Sequence, residues 1–157
     1  MSASVQWHPM AVHFPLALVA TATLVLSLAR LKALERHATS LAIVGTWNLC
    51  LGALAALVTL ATGLAAVIHL QVGVPARLAI SVHVKWAVFS TVGLLLLAAW
   101  RGAGSAEDSR PSRPFLVLLW AVTATLIVTG YRGGQNVYRF GIGVTHNEAG
   151  AEPHRQE

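Results

Sequence analysis

Four apolar stretches dominate the sequence, and each is long enough, or nearly so, to cross a lipid bilayer. They cover residues 10–29, 41–70, 78–100 and 115–131. A helix needs about 20 apolar residues to cross the hydrocarbon core, and lipid offers no water to pair an open backbone. The stretches are therefore predicted to be helices. Only 11% of the residues are charged, where a soluble domain has about a quarter, so the sequence predicts an integral membrane protein.

The segments between these stretches are short and polar or rich in Gly and Pro. Short connections place consecutive helices side by side and antiparallel. The predicted fold is therefore all-α, an integral membrane four-helix bundle in up-down-up-down order. It occupies residues 1–144, including a Gly-rich segment after residue 131, and a polar C-terminal tail follows at 145–157.

The distribution of basic residues predicts the orientation. The two loops on one side of the bundle hold six of them: Arg30, Lys32, Arg36, Arg101, Arg110 and Arg113. The opposite side, which also carries both termini, has fewer basic residues near its helix ends. The positive-inside rule therefore places both termini outside. Residues 1–9 carry no Lys or Arg, which argues against a cleaved signal peptide. The expected location is the bacterial inner membrane, with several spans and periplasmic termini.

Several classes of function find no support in the residues. The basic residues are scattered and form no run that would follow phosphates, so nucleic acid is not an expected partner. The single cysteine, Cys50, lies in an apolar stretch, and no acidic residue lies in any of the four. Since no nucleophile arrangement or phosphate-binding loop is visible either, the chain is not expected to be an enzyme on its own.

Most of the histidines fall toward one face of the membrane. In an alternating bundle, the starts of helices 1 and 3 share a side with the ends of helices 2 and 4. His8, His13, His69 and His83 lie on that side. His37 lies on the other side, and His146 and His154 lie in the tail. A histidine inside the membrane is costly unless it faces the bundle and has a partner.

Two of these histidines have matching depths on parallel helices. His13 lies about 6 Å past Pro9, and His83 lies about 7.5 Å past Leu78, at 1.5 Å per residue. Small residues follow both along their helix faces. Helices 1 and 3 lie on a diagonal of about 13 Å, given adjacent axes roughly 8–10 Å apart. This gap suits two imidazoles on one haem iron, an arrangement that transfers electrons and leaves no open position for a substrate.

The polar end of this side offers groups that suit a haem edge. Propionates need cations and hydrogen-bond donors, and glycines allow close approach of the backbone. Lys85 snorkels to the interface or pairs with a propionate or a quinone carbonyl. The predicted binding residues beyond His13 and His83 are His8, His69, Lys85, Arg132, Arg139, Tyr131, Gly133 and Gly134; Arg77, Tyr138 and Gly130 lie near them.

The segments HPMAVHFPLAL (8–18) and GGQNVYRFGIGV (133–144) resemble motifs of a bacterial membrane family, the domain of unknown function 2231 family. Thr62, Gly63 and His83 agree with it as well. The resemblance covers the chain to about residue 144, and Phe140 departs from it where the family often has a histidine. The motif positions carried over are His8, His13, Pro15, His83, Gly133, Gly134, Tyr138, Gly141, Gly143 and Val144.

The resemblance implies four helices, an inner-membrane location and a redox partner, since members occur beside Rieske iron–sulfur or c-type cytochrome domains. The leading hypothesis is therefore a b-type cytochrome subunit, with haem b between His13 and His83. It would relay electrons between a redox partner and the quinone pool or a partner subunit. Two alternatives stay open. One is a cofactor-free anchoring subunit of a larger membrane complex, and the other is a protein that binds copper or another metal.

Overall fold

Four long helices make up the structure, a computed structural model that describes residues 8–68, 70–103 and 110–143. All four are long and apolar enough to cross a membrane. The described residues contain no strand, so the predicted all-α membrane fold is confirmed. The helices are α1 (His13–Leu28), α2 (Ala38–Ile68), α3 (Val74–Ala103) and α4 (Arg113–Phe140), with a 3-10 helix at Lys32–His37 before α2.

The ends of the helices extend beyond the apolar stretches. A helical turn at residues 8–11 precedes α1, and the apolar span is counted from His8. Helix α4 begins at a cap, where Phe115 donates its backbone N–H to the Ser112 hydroxyl. It then continues past residue 131 through the Gly-rich segment. It ends at Gly141, which has a left-handed φ of 62° that glycine adopts without strain.

Contacts between helices place them in a ring. Helix α1 packs against α2 and α4, and α3 packs against the same two, so α1 and α3 form one diagonal. At one end the Arg30 side chain donates to the Pro111 carbonyl at 2.8 Å. At the other end His8 contacts Thr59 and His83 contacts Thr129. Helix starts thus meet the ends of their neighbours, which is compatible with the predicted up-down-up-down order.

One fully buried leucine from each helix contributes to the core: Leu26, Leu49, Leu94 and Leu119. Burial repeats between the two halves. Val19 in the first half and Leu94 in the second half are both fully buried. Their spacing along the chain is the same as the spacing between His8 and His83. The α1–α2 hairpin and the α3–α4 hairpin therefore present matching faces to the core, as in parallel internal repeats of membrane proteins.

Glycines allow α1 and α2 to approach closely. A Cβ atom at Gly45 would lie 2.6 Å from Cγ of Leu26, and one at Gly52 would lie 2.8 Å from Cγ2 of Val19. Because lipid gives helices no hydrophobic reason to associate, such close packing supplies much of the contact energy.

Substitution of Gly52 by Ala tests this packing. The added methyl group overlaps the buried Val19 side chain, so we expect a loss of about 1–3 kcal/mol in unfolding free energy. Gly102→Ala is the matched control, because no atom lies within 4 Å of a Cβ there and alanine favours the helix. Unfolding of the purified proteins in mixed micelles measures both. Equal stabilities would contradict the close packing.

Candidate functional site

A cavity of about 490 Å³ lies where α1 and α3 begin and α2 and α4 end. Its volume falls within the range of roughly 300–1,000 Å³ that small-molecule sites occupy. All four helices line it, mostly with apolar side chains. The polar exceptions are few, and three of them are histidines: His8 in the turn before α1, His13 at the start of α1 and His83 on α3.

Each of these histidines is held by a backbone carbonyl of its neighbouring helix. Nδ1 of His8 lies 3.1 Å from the carbonyl oxygen of Thr59, and Nδ1 of His83 lies 3.1 Å from that of Thr129. A carbonyl oxygen only accepts, so Nδ1 carries the proton in both rings. Nε2 of each neutral ring is then an unprotonated lone-pair donor, the form in which histidine binds metals.

Glycines one helical turn beyond the two threonines leave room for the rings. A Cβ atom at Gly63 would lie 2.8 Å from Cε1 of His8, and one at Gly133 would lie 3.1 Å from Cε1 of His83. The motif Thr-x-x-x-Gly thus occurs on both α2 and α4. The carbonyl and the glycine lie on the same helix face. The threonine carbonyl accepts a hydrogen bond from the imidazole, and the glycine, which has no side chain, leaves room for the ring.

The threonine side chains also tie the helices together. The Thr59 hydroxyl donates to the Ala11 carbonyl of the turn that precedes α1, at 3.2 Å. The Thr129 hydroxyl shares a hydrogen bond of 3.1 Å with the Ser90 hydroxyl on α3. In both hairpins the threonine therefore fixes the first helix, whose histidine it also orients through its carbonyl.

The two histidine groups are equivalent under the internal repeat. Thr59 and Thr129 are separated along the chain by the same number of residues as Leu49 and Leu119. These two leucines are the fully buried core residues of α2 and α4, so the threonines occupy corresponding positions on the two helices. Both rings line the same cavity. The cavity thus has an imidazole from each half of the bundle.

The histidines predicted from the sequence have different surroundings. His83 and His8 are half-buried and hydrogen-bonded, whereas His13 lines the cavity with an exposed side chain. No hydrogen bond of the His13 ring occurs within the described residues. His69, His146, His154 and the predicted tail at 145–157 lie outside the described residues, as does Val144.

The polar residues and glycines that were predicted to surround the cofactor do not all line the cavity. Gly130, Gly133, Gly134 and Tyr138 line the cavity, although the Tyr138 side chain is 92% exposed. Arg132, Arg139 and Tyr131 are exposed and do not line it. Arg77 and Lys85 line a neighbouring groove between α2 and α3 instead.

Sequence reasoning did not single out Thr59, Gly63, Thr129 or Asn136 as binding residues. Asn136 lines the cavity and is only 7% exposed. Its side-chain amide makes no hydrogen bond within the part of the chain that the structure describes. The amide can therefore offer a hydrogen bond to a group in the cavity. The repeated Thr-x-x-x-Gly pattern was the signal that could have located the other three residues.

Histidine, cysteine and carboxylate groups do not gather elsewhere in the described residues. Across 8–68, 70–103 and 110–143, no group of three or more such side chains is placed to hold a metal ion. Of the three histidines that line the cavity, His8 and His83 are the two held by a backbone carbonyl.

The fold and the cavity define a class, a four-span membrane protein with a paired-histidine cavity at one end of the bundle. The chain belongs to the family described as predicted membrane protein (DUF2231), whose model matches residues 5–146. This confirms the resemblance seen in the motifs. No curated protein and no solved structure matches the chain.

Reciprocal glycine substitutions test the geometry of the site. We expect Gly63→Ala to displace the ring of His8, and Gly133→Ala that of His83, because each new methyl group would contact its own ring. ¹⁵N spectra of the histidine side chains should show a shift confined to the affected ring. Gly134→Ala is the control, since no atom lies within 4 Å of a Cβ there. Identical spectra for all three variants would contradict the contacts.

Proposed function

We propose that the chain is a membrane-embedded b-type cytochrome subunit that binds haem b in the cavity between His8 and His83. The observation that carries the proposal is the pair of equivalent imidazoles on diagonal helices. Each is anchored through Nδ1, and each has Nε2 available for iron. Anchoring of Nδ1 by a carbonyl is the usual outer-shell support of a metal-bound histidine.

The cavity suits a large, flat, mainly apolar group with one polar edge. Its walls are apolar, and glycines on α2 and α4 keep side chains away from the histidine rings. A haem held by these two histidines would supply one-electron transfer. The chain's own residues then bind and orient the group, and exclude water from it.

His8 replaces His13 in the ligand pair that we propose. His13 was predicted from its depth, the small residues beside it and the motif at residues 8–18, whereas His8 has the carbonyl anchor and the facing glycine that also mark His83. The internal repeat makes His8 the equivalent of His83. In this proposal His13 is a wall residue near the exposed mouth of the cavity.

Asn136 supplies a polar contact on the α4 side of the cavity. Its amide can donate to a propionate or another oxygen at the edge of the ligand. Arg132, Arg139 and Tyr131 stay predicted partners of the propionates, which would have to reach the exposed surface to meet them.

The histidines lie at the end of the bundle that carries both termini, and this position determines where the haem would lie in the membrane and which partners it could meet. With both termini periplasmic in a bacterial inner membrane, the haem would lie near the periplasmic face. A partner with a c-type cytochrome or an iron–sulfur centre could then exchange electrons with it, and the quinone pool or a partner subunit would complete the relay. In this role the chain is not an enzyme on its own but a subunit of a redox complex.

The two alternatives have less support. Copper or zinc held by protein side chains normally has three or more ligands, and the described residues contain no such group. A cofactor-free anchoring subunit would give no reason for two imidazoles held on one cavity by equivalent backbone carbonyls. Absorption spectroscopy and metal analysis on one purified sample separate the three functions.

Histidine substitutions test the ligand pair. After expression with adequate haem, the wild-type protein should have a Soret band and a low-spin spectrum. We expect His8→Ala and His83→Ala each to lose the haem or convert it to a high-spin form, because one axial ligand is missing. His13→Ala is the matched control and should keep the low-spin spectrum.

Two results would contradict this assignment. A wild-type protein without a Soret band under these conditions would refute haem binding. A low-spin spectrum that survives His8→Ala but disappears in His13→Ala would return the ligand role to His13.

Substitution of Asn136 tests the polar contact. Asn136→Ala removes one hydrogen bond, worth about 0.5–1.5 kcal/mol, so we expect roughly two- to tenfold weaker haem binding and an unchanged spin state. Competition with a soluble haem-binding protein measures the affinity. Asn48→Ala is the control, because the Asn48 amide donates to the Val44 carbonyl within α2 and does not line the cavity. Equal affinities would exclude the contact.

A further inference from the structure

A second recess, the α2–α3 groove, lies beside the histidine cavity. It has a volume of about 580 Å³ and is open to the outside of the bundle. Its apolar wall includes Leu64 and Val67 from α2 and Ile80 and Val84 from α3. Such a wall, on the surface of a membrane-spanning bundle, faces the region that acyl chains occupy.

One polar stripe on α3 borders this apolar wall. It consists of Arg77, Ser81 and Lys85, which recur every four residues and so lie on one helix face. Nε of Arg77 donates to the Val72 carbonyl at 3.2 Å, which fixes the guanidinium and leaves its terminal N–H groups for another acceptor. Lys85 lies about 12 Å deeper along the axis, and its long side chain can extend back toward Arg77.

Neither cation has an acidic partner among the described residues. The single acidic residue there is Glu35. It pairs with Arg110 at 2.7 Å, at the opposite end of the bundle. A cation within a membrane span is costly without a counter-charge. The charge pattern of the groove is therefore complementary to an amphipathic anion, with its acidic group at the stripe and its chains on the wall.

We propose that the α2–α3 groove is a binding site for an anionic phospholipid whose phosphate is held by Arg77 and Lys85. Basic pockets between membrane helices bind acidic lipid headgroups by this chemistry. The Ser81 hydroxyl lies between the two cations on the stripe. It donates to the Leu78 carbonyl at 2.8 Å, so its oxygen can accept from a headgroup hydroxyl. None of its polar residues lines the histidine cavity, whereas the apolar wall residues Leu64, Val67, Ile80 and Val84 line both recesses.

Lipid binding by the full chain tests the proposal. The purified, delipidated protein is titrated with phosphatidylglycerol and with phosphatidylcholine of the same acyl chains, and bound lipid is counted by native mass spectrometry. At about 1 kcal/mol per basic residue near the membrane surface, two cations predict roughly a thirtyfold preference for phosphatidylglycerol. Arg77→Gln and Lys85→Gln should each reduce it to about fivefold, and the double variant should abolish it.

Arg139→Gln is the matched control. It removes a cation at the same end of the bundle, on α4 and outside the groove, and should keep the full preference. Arg77→Lys and Lys85→Arg retain the charges and should keep most of it. In the wild-type protein, a photoactivatable phosphatidylglycerol should label groove residues that do not line the histidine cavity, such as Val72 and Ser81, which tests the site without any substitution.

Three outcomes would overturn the proposal. The first is a preference for phosphatidylglycerol that survives the double variant. The second is tight binding of inorganic phosphate alone that competes with the lipid, which would assign the cations to a free anion. The third is binding of decylubiquinone at the groove without any preference for phosphatidylglycerol, which would assign the groove to an uncharged quinone.

Discussion

The hydrogen bond between each cavity histidine and a helix carbonyl is the interaction on which the site depends. Lipid and apolar side chains surround this end of the bundle, so an imidazole there needs a protein partner. The carbonyl oxygens of Thr59 and Thr129 provide it, because a helix carbonyl has a second lone pair beyond its backbone bond. That bond also sets the tautomer, and with it the nitrogen that each ring directs away from its anchor.

The histidine–carbonyl hydrogen bond requires each imidazole to lie close to the backbone of the neighbouring helix, and a glycine on that helix leaves the necessary space. Gly63 and Gly133 lie one turn beyond the anchoring carbonyls, where any side chain would meet the ring. The threonine hydroxyls add contacts from α2 to the turn before α1 and from α4 to α3. Carbonyl, hydroxyl and glycine thus form one unit that occurs twice, and the repetition gives a bundle with one imidazole from each half. Asn136 breaks this symmetry, because the equivalent position on α2 is the apolar Ala66.

The polar groups at this end of the bundle are separated by charge between the histidine cavity and the α2–α3 groove. Uncharged groups gather inside, where two oriented rings and one amide face apolar walls. The cations lie outside, on α3 and α4 and toward the lipid or the membrane surface. A charge is more costly to bury than an imidazole, so this division follows from desolvation. It also explains why Lys85, counted from the sequence as a cofactor-binding residue, lines the groove and not the cavity.

The sequence by itself determined the number of helices, their membrane character and the end of the bundle that carries His8, His13 and His83, because span length and apolar content follow directly from residue order. The motif at residues 8–18 was also enough to indicate the family. The tertiary structure decided which histidines pair. Depth along an axis made His13 the partner of His83, but depth carries no information about the direction of a side chain. Only the packing of α1 on α2 reveals that His8 meets the Thr59 carbonyl and the space at Gly63, while His13 stays exposed. The place of Asn136 on the cavity wall likewise became evident only in the structure, because α4 continues as a helix beyond the apolar stretch and carries this residue to the cavity.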